Sequence, residues 1–155
     1  TMTPRMNIFQ VAPEGAQAML AVEASIEKSG LEHGLLELVR LRVSQINGCA
    51  FCIHMHVKDS TKHGENGMRI HLLDGWRHSP LYTDRERAAL NWAEVLTRVA
   101  KTQAPDADYE LLQSQFNETE IAYLTLLIGA INLWTRVQIG LRAVHPVEQL
   151  SAAAA

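Results

Sequence analysis

LVRLRVSQINGCAFCIHMHVKDSTKHG, residues 38–64, holds both cysteines of a 155-residue chain and sets how the rest is read. Apolar residues recur at helical spacing up to Ile46, and the pattern restarts after Gly48. An Asn-Gly pair suits a left-handed helix C-cap, because glycine adopts positive φ without steric cost. The stretch therefore predicts two helices, 31–46 and 49–63, broken at Asn47-Gly48, with Gly64 ending the second.

Working outward, the same periodicity continues and strand alternation is almost absent. Pro13 suits a first helical turn, and Met19, Val22 and Ile26 follow at helical spacing until Ser29-Gly30. A short helix is expected over 67–74, followed by an irregular stretch, GWRHSPLY (75–82). Thr83 with Glu86 forms a capping-box pair that opens a helix over 84–101. Pro105 starts a short helix toward Phe116. Asn117 with Glu120 forms a second box, with Phe116 and Ile121 placed for its hydrophobic staple. The helix that follows is expected to reach 144, just before Pro146. Its apolar residues surround it on nearly all sides through Ile131, as in a helix buried in a core or at a subunit contact. The expected fold is all-α: one compact helical domain over 1–155, with its core in about 15–145 and a frayed tail at 146–155.

A shift of 85 positions lays LVRLRVSQIN (38–47) over YLTLLIGAIN (123–132), pairing Leu41, Ile46 and Asn47 with Leu126, Ile131 and Asn132. Two similar helices packed face to face would account for the echo, with the cysteines on one copy alone. Chance likeness of two amphipathic helices would account for it too.

The bulk composition narrows the function classes. A hydrophobic share of 47% with 20% charged residues is that of an ordinary globular domain. The formal charge of −3 comes with no basic run to offset phosphates, which argues against nucleic acid as a partner. The longest uncharged apolar stretch, 121–133, is 13 residues, short of the roughly 20 that span a bilayer. The first 15 residues lack the apolar core of a secretory signal. The expected compartment is the reducing cytoplasm, where a CxxC is more often catalytic or metal-binding than structural.

Four chemistries compete for Cys49, Cys52 and the nearby histidines. Haem attachment needs histidine directly after the second cysteine, and position 53 is isoleucine. Structural zinc needs a second ligand pair, but on a helix His54 points about 160° from His56, and His63 lies about 10 Å further along. A purely structural disulfide across so short a loop would restrict the unfolded chain little. A redox pair fits better: both sulfurs fall in the first turn of a helix, where unpaired N–H groups and the helix dipole favour thiolate. His56 lies at i+4 from Cys52, placed to exchange a proton with it. No βαβ pattern surrounds the motif, so a thioredoxin fold is not expected.

Glu37 stands twelve positions before Cys49, giving E-x11-C-x2-C-x3-H over Glu37, Cys49, Cys52 and His56. That string resembles the core motif of the AhpD-like alkylhydroperoxidases, within the carboxymuconolactone decarboxylase superfamily. NGCAFCIHMHVK (47–58), ERAALNWAEVLT (86–97) and INLWTR (131–136) resemble the same group. The resemblance implies an all-helical, oligomeric protein (a trimer or hexamer) that reduces hydroperoxides through its thiols. It implies that Cys52 attacks the peroxide, that Cys49 resolves the sulfenic acid to a disulfide, and that Glu37 and His56 form a proton relay. It also implies an external dithiol, such as a lipoyl group on a partner protein, with no bound cofactor and no metal ligand. One position departs: the best-known branch carries histidine directly before the second cysteine, where this chain has Phe51. The decarboxylase branch lacks the cysteine pair, so decarboxylation is not expected. The alternative is a redox sensor or general thiol-disulfide oxidoreductase without significant peroxide turnover.

Plainer readings stand beside these. Glu37 could pair with Arg40 or Arg42 on an exposed helix face. His54, His63 and His71 are expected to be surface or structural residues, Trp92 and Trp134 to pack in a core or interface, and Met55 and Met68 to fill gaps.

Overall fold

The computed structural model describes residues 2–147, and the described residues form helices and turns with no strand. In chain order they are α1 (Ile8–Val11), α2 (Pro13–Glu27), α3 (His33–Asn47), α4 (Ala50–Lys62) and α5 (Gly67–His71), then a 3-10 helix (Leu73–His78). After these come α6 (Asp84–Thr97), α7 (Val99–Thr102), α8 (Asp106–Gln113) and α9 (Glu118–Gly140). The all-α expectation holds. The expected frayed tail lies mostly outside the described residues.

The predicted boundaries moved at three places. The helix expected over 84–101 breaks at Arg98 into α6 and α7. The irregular 75–82 stretch is half helical: residues 73–78 form the 3-10 turn, and Trp76 within it is buried. The last helix ends at Gly140, four residues short of the expected end. Both capping boxes formed, with Thr83 and Glu86 on α6 and Asn117 and Glu120 on α9 each exchanging two hydrogen bonds. The staple residues Phe116 and Ile121 are buried in one core.

Helix α3 is the axis of the molecule. Every residue from Leu35 to Ser44 is buried, because α3 packs against α4, α6 and α9 together. Its side chains divide by angle at about 100° per residue. Leu36, Val39 and Val43 enter one core with Ile26, Ala89, Leu124 and Ile128. Leu38 and Leu41 enter a second with Leu73, Trp76 and Leu90. The angles left between them carry Glu37 and Arg40 on one side and Arg42 on the other. All three are about as buried as the leucines, so their charges must be paired. Where α3 and α9 meet, Asn47 Nδ2 donates to Asn132 Oδ1 at 3.0 Å and to Thr135 Oγ1 at 2.9 Å. The residues related by the 85-position shift thus touch directly.

Candidate active site

The junction between α3 and α4 positions the cysteines. Gly48 takes φ +67° and caps α3, its N–H donating to Gln45 O, while Cys49 N–H donates to Ser44 O. This turn leaves Cys49 in extended conformation as the N-cap of α4 and puts Cys52 in the first turn. The two form a disulfide with Cα atoms 5.3 Å apart, and Cys49 Sγ accepts from the Cys52 N–H at 3.3 Å. Both cysteines are buried.

One turn further along α4, the buried His56 turns Nδ1 toward Glu37 Oε2 on α3, 3.6 Å away. The other Glu37 oxygen, Oε1, accepts from Arg40 Nη1 at 2.7 Å. Arg40 also binds Glu23 at 3.0 Å and Glu27 at 2.8 Å, both on α2. The plainer expectation for Glu37 was therefore half right: it pairs with Arg40, but in the interior. Burial pushes the Glu37 carboxyl up, yet the neighbouring His56 and Arg40 outweigh that and hold it below the ordinary carboxylate value. Glu37 is thus a carboxylate anchored on one side by a guanidinium and facing an imidazole on the other.

These groups end in a cavity of about 450 Å³. Cys52, His56, Glu37 and Arg40 lie on its wall together with Glu23, Glu27, His33, Asp59 and His63. Its apolar walls are Phe9, Leu20, Phe51, Met55, Ile131 and Trp134. Phe51, the departure from the family pattern, is thus an apolar wall of the same cavity. Trp134 is only partly buried and stacks on Phe9 with ring centroids 6.1 Å apart, whereas Trp92 is a core residue that donates to Thr125. His63 is exposed, as expected, and it also lines the rim of the cavity and packs on the His33 ring at 4.2 Å. His54 lies elsewhere, stacked on His145, as its helix angle predicted.

All four motif residues are thus gathered at one junction, with Cys52, His56 and Glu37 on the cavity wall. The sequence reading missed Glu23, Glu27, His33 and Asp59. The i+4 and i+3 spacings 23/27, 33/37 and 37/40 were legible as same-face patterns. Nothing local said that α2 would bring its pair against Arg40.

An all-helical domain whose CxxC pair closes at a helix start, beside a buried Glu–His contact, defines a class of thiol-bearing helical bundles. The family model "Carboxymuconolactone decarboxylase family" matches residues 13–95, and the chain belongs to that family. It is 36% identical over 140 residues to the uncharacterized protein YdfG of Bacillus subtilis, covering 90% of this chain and 95% of that one. It is 33% identical over 111 residues to the uncharacterized protein YnjA of Escherichia coli, covering 71% of this chain and 60% of that one. Among solved structures, ATU0492 from Agrobacterium tumefaciens superposes with a TM-score of 0.91 at 46% identity, covering 94% of this chain and 100% of that one. That protein is described as of unknown function and is linked to the antioxidant defence protein AhpD. The debrominase Bmp8 shares the fold, with a TM-score of 0.76 at 16% identity over 90% of this chain and 75% of that one.

Proposed function

We propose that the protein is a thiol-dependent peroxidase that reduces organic hydroperoxides or hydrogen peroxide through Cys52 and Cys49. The observation that carries this reading is the placement of Cys52, His56 and Glu37 on the wall of one apolar cavity, with Cys49 already paired to Cys52. The link of the Agrobacterium relative to AhpD supports it.

In the reduced state, His56 takes the Cys52 proton, and Glu37 stabilises the imidazolium from the Nδ1 side. The thiolate attacks the terminal peroxide oxygen, forming the S–O bond of a sulfenic acid and breaking O–O. The leaving alkoxide collects the proton held on His56 and departs as alcohol, or as water from hydrogen peroxide. The Cys49 thiol then displaces hydroxide from the sulfenic sulfur, giving the disulfide and water. Two electrons and two protons from an external dithiol restore the pair; a lipoyl group on a partner protein has the right chemistry. No cofactor need be resident for this cycle. The apolar walls suit an organic substituent on the peroxide.

Two further assignments belong to this proposal. The chain acts as a homo-oligomer, a trimer or hexamer as the resemblance implies; Leu126 and Leu133, exposed one heptad apart on α9, support a subunit contact there. It works in the cytoplasm; no described helix is long and apolar enough to cross a membrane.

The test is to trap the sulfenic acid with a dimedone-type probe in Cys49→Ser after one equivalent of hydroperoxide, and to locate the adduct by mass spectrometry. An adduct on Cys52 is the expected result. No adduct, together with no dithiol-dependent peroxide consumption by the wild-type protein, would replace the peroxidase with a redox sensor.

A further inference from the structure

The floor of the cavity holds polar atoms that the fold leaves without hydrogen bonds. Glu37 Oε2 and His56 Nδ1 face each other at 3.6 Å, beyond hydrogen-bond reach, and neither has a hydrogen-bond partner. Glu37 is 6% exposed and His56 5%. A buried polar atom left unpaired costs about 1–3 kcal/mol. Two more buried atoms lack a partner: His33 Nε2 on the same cavity, and Ser60 Oγ, one turn beyond His56, in the adjoining hollow that His33 and Glu37 also line. Asp59 lies at i+3 from His56 on α4 and brings a carboxylate to the same place. One oxygen or nitrogen from each of Glu37, His56 and Asp59 lies within 4.8 Å of the other two.

We propose that Glu37, His56 and Asp59 form a binding site for a divalent transition-metal ion of the zinc class. Ligand atoms 2.0–2.1 Å from a tetrahedral zinc are about 3.3 Å from one another. The 3.6 Å gap between Glu37 Oε2 and His56 Nδ1 needs only a small contraction to become such an edge. One imidazole and two carboxylates suit zinc, whereas magnesium and calcium favour oxygen alone. Three protein ligands leave a fourth position open to the cavity. The carboxylates of Glu23, Glu27, Glu37 and Asp59 on the cavity wall outnumber the single Arg40 guanidinium and draw a cation inward.

A neighbouring triple, Glu27, His33 and Glu37, has similar spacing. There, however, Arg40 Nη1 already binds Glu27 Oε1 at 2.8 Å and Glu37 Oε1 at 2.7 Å. A positive charge occupies the place an ion would take, which leaves the His56 side as the site. Glu37 Oε2 and His56 Nδ1 also serve the relay proposed above, so on that reading a bound ion silences the thiol cycle. The metal site itself stands without that reading.

Titration calorimetry of zinc chloride into the disulfide form tests the site, because the paired sulfurs cannot ligate the metal. The expected result is one ion per chain with a Kd on the order of 1 μM or tighter. Asp59→Asn and His56→Gln should each weaken binding by about tenfold or more, while His63→Gln leaves it unchanged. Cobalt added to the wild-type disulfide form should show the visible bands of a tetrahedral nitrogen–oxygen site, a readout that needs no variant to fold. No binding below about 100 μM zinc would overturn the site. So would binding that survives Asp59→Asn and is lost in His63→Gln, which would move it to the His33–His63 pair.

Discussion

Arg40 and Arg42 stand two residues apart on α3, equally buried, and their surroundings are opposite in kind. Around Arg42 nearly every donor and acceptor is used. Glu94 Oε1 accepts from Arg42 Nε at 3.1 Å, Arg42 Nη2 at 2.9 Å and Trp76 Nε1 at 3.0 Å, and Glu94 Oε2 accepts from Arg77 at 2.9 Å. Arg42 Nη1 completes the set on Asp74 and Gln45. Around Arg40 three carboxylates crowd one guanidinium, and the network stops short at Glu37 Oε2 and His56 Nδ1. A satisfied buried network holds elements together, while a partly satisfied one bears a stability cost. The proposed function places chemistry on the Arg40 side of α3, opposite the satisfied network on the Arg42 side.

Substitutions can break that division. The largest effect is expected for Cys52→Ser, which should lower dithiol-dependent peroxide consumption by about 10³-fold or more, since Cys49 alone lacks both the His56 partner at i+4 and a second thiol to close the disulfide. An unchanged rate would end the peroxidase reading. Glu37→Gln should follow, lowering consumption by about 10²-fold through loss of the relay. Its urea midpoint should fall less than that of Glu94→Gln, because Arg40 keeps Glu23 and Glu27. A large loss of stability with normal turnover would reverse the assignment of the two sides.

Glu94→Gln is the reciprocal experiment. It leaves Arg42 with a weakened partner in the interior and should cost about 2–3 kcal/mol by urea denaturation. Turnover per folded molecule should be unaltered. A smaller change is expected at the neutral end of α3: Asn132→Ala should cost about 1 kcal/mol by removing the acceptor for Asn47.

The pH dependence sharpens the same comparison. Burial raises the Glu94 carboxyl, but Trp76, Arg77 and Arg42 together hold it below its ordinary value of 4.5. Glu37 is likewise held below 4.5. A carboxylate whose folded pKa is depressed adds stability that is full above its unfolded pKa and is lost as pH falls through the folded one. Stability should therefore stay level above about pH 5 and fall as pH drops below 4.5. Glu94→Gln should make that fall shallower, read as urea midpoints across the acid range.

How much of this was legible beforehand differs between the motif and its surroundings. Cys49, Cys52 and His56 could be read because their spacing is a property of one helix start after a glycine, and Glu37 because the E-x11-C-x2-C-x3-H string resembles the family motif. Both capping boxes were legible for the same local reason. The burial of Glu37 was not, since its own helix is rich in charges and periodicity alone suggested an exposed face. Only the packing of three helices around α3 removes that face from water. The break at Arg98 and the 3-10 turn at Trp76 were also illegible. At Trp76 the second core, into which that side chain packs, decides the backbone path.

The sequence by itself determined the all-helical class, the helix break at Asn47-Gly48, the placement of both sulfurs at a helix start and the i+4 histidine. Each depends on residues close along the chain, where backbone geometry fixes what meets what. The tertiary structure alone decided that Glu23 and Glu27 from α2 would share Arg40 with Glu37, and that Asp59 would face the same cavity. It also decided that the two arginines of α3 would have opposite surroundings. Those outcomes depend on which faces of distant helices are pressed together, and that is set by burial of the whole core.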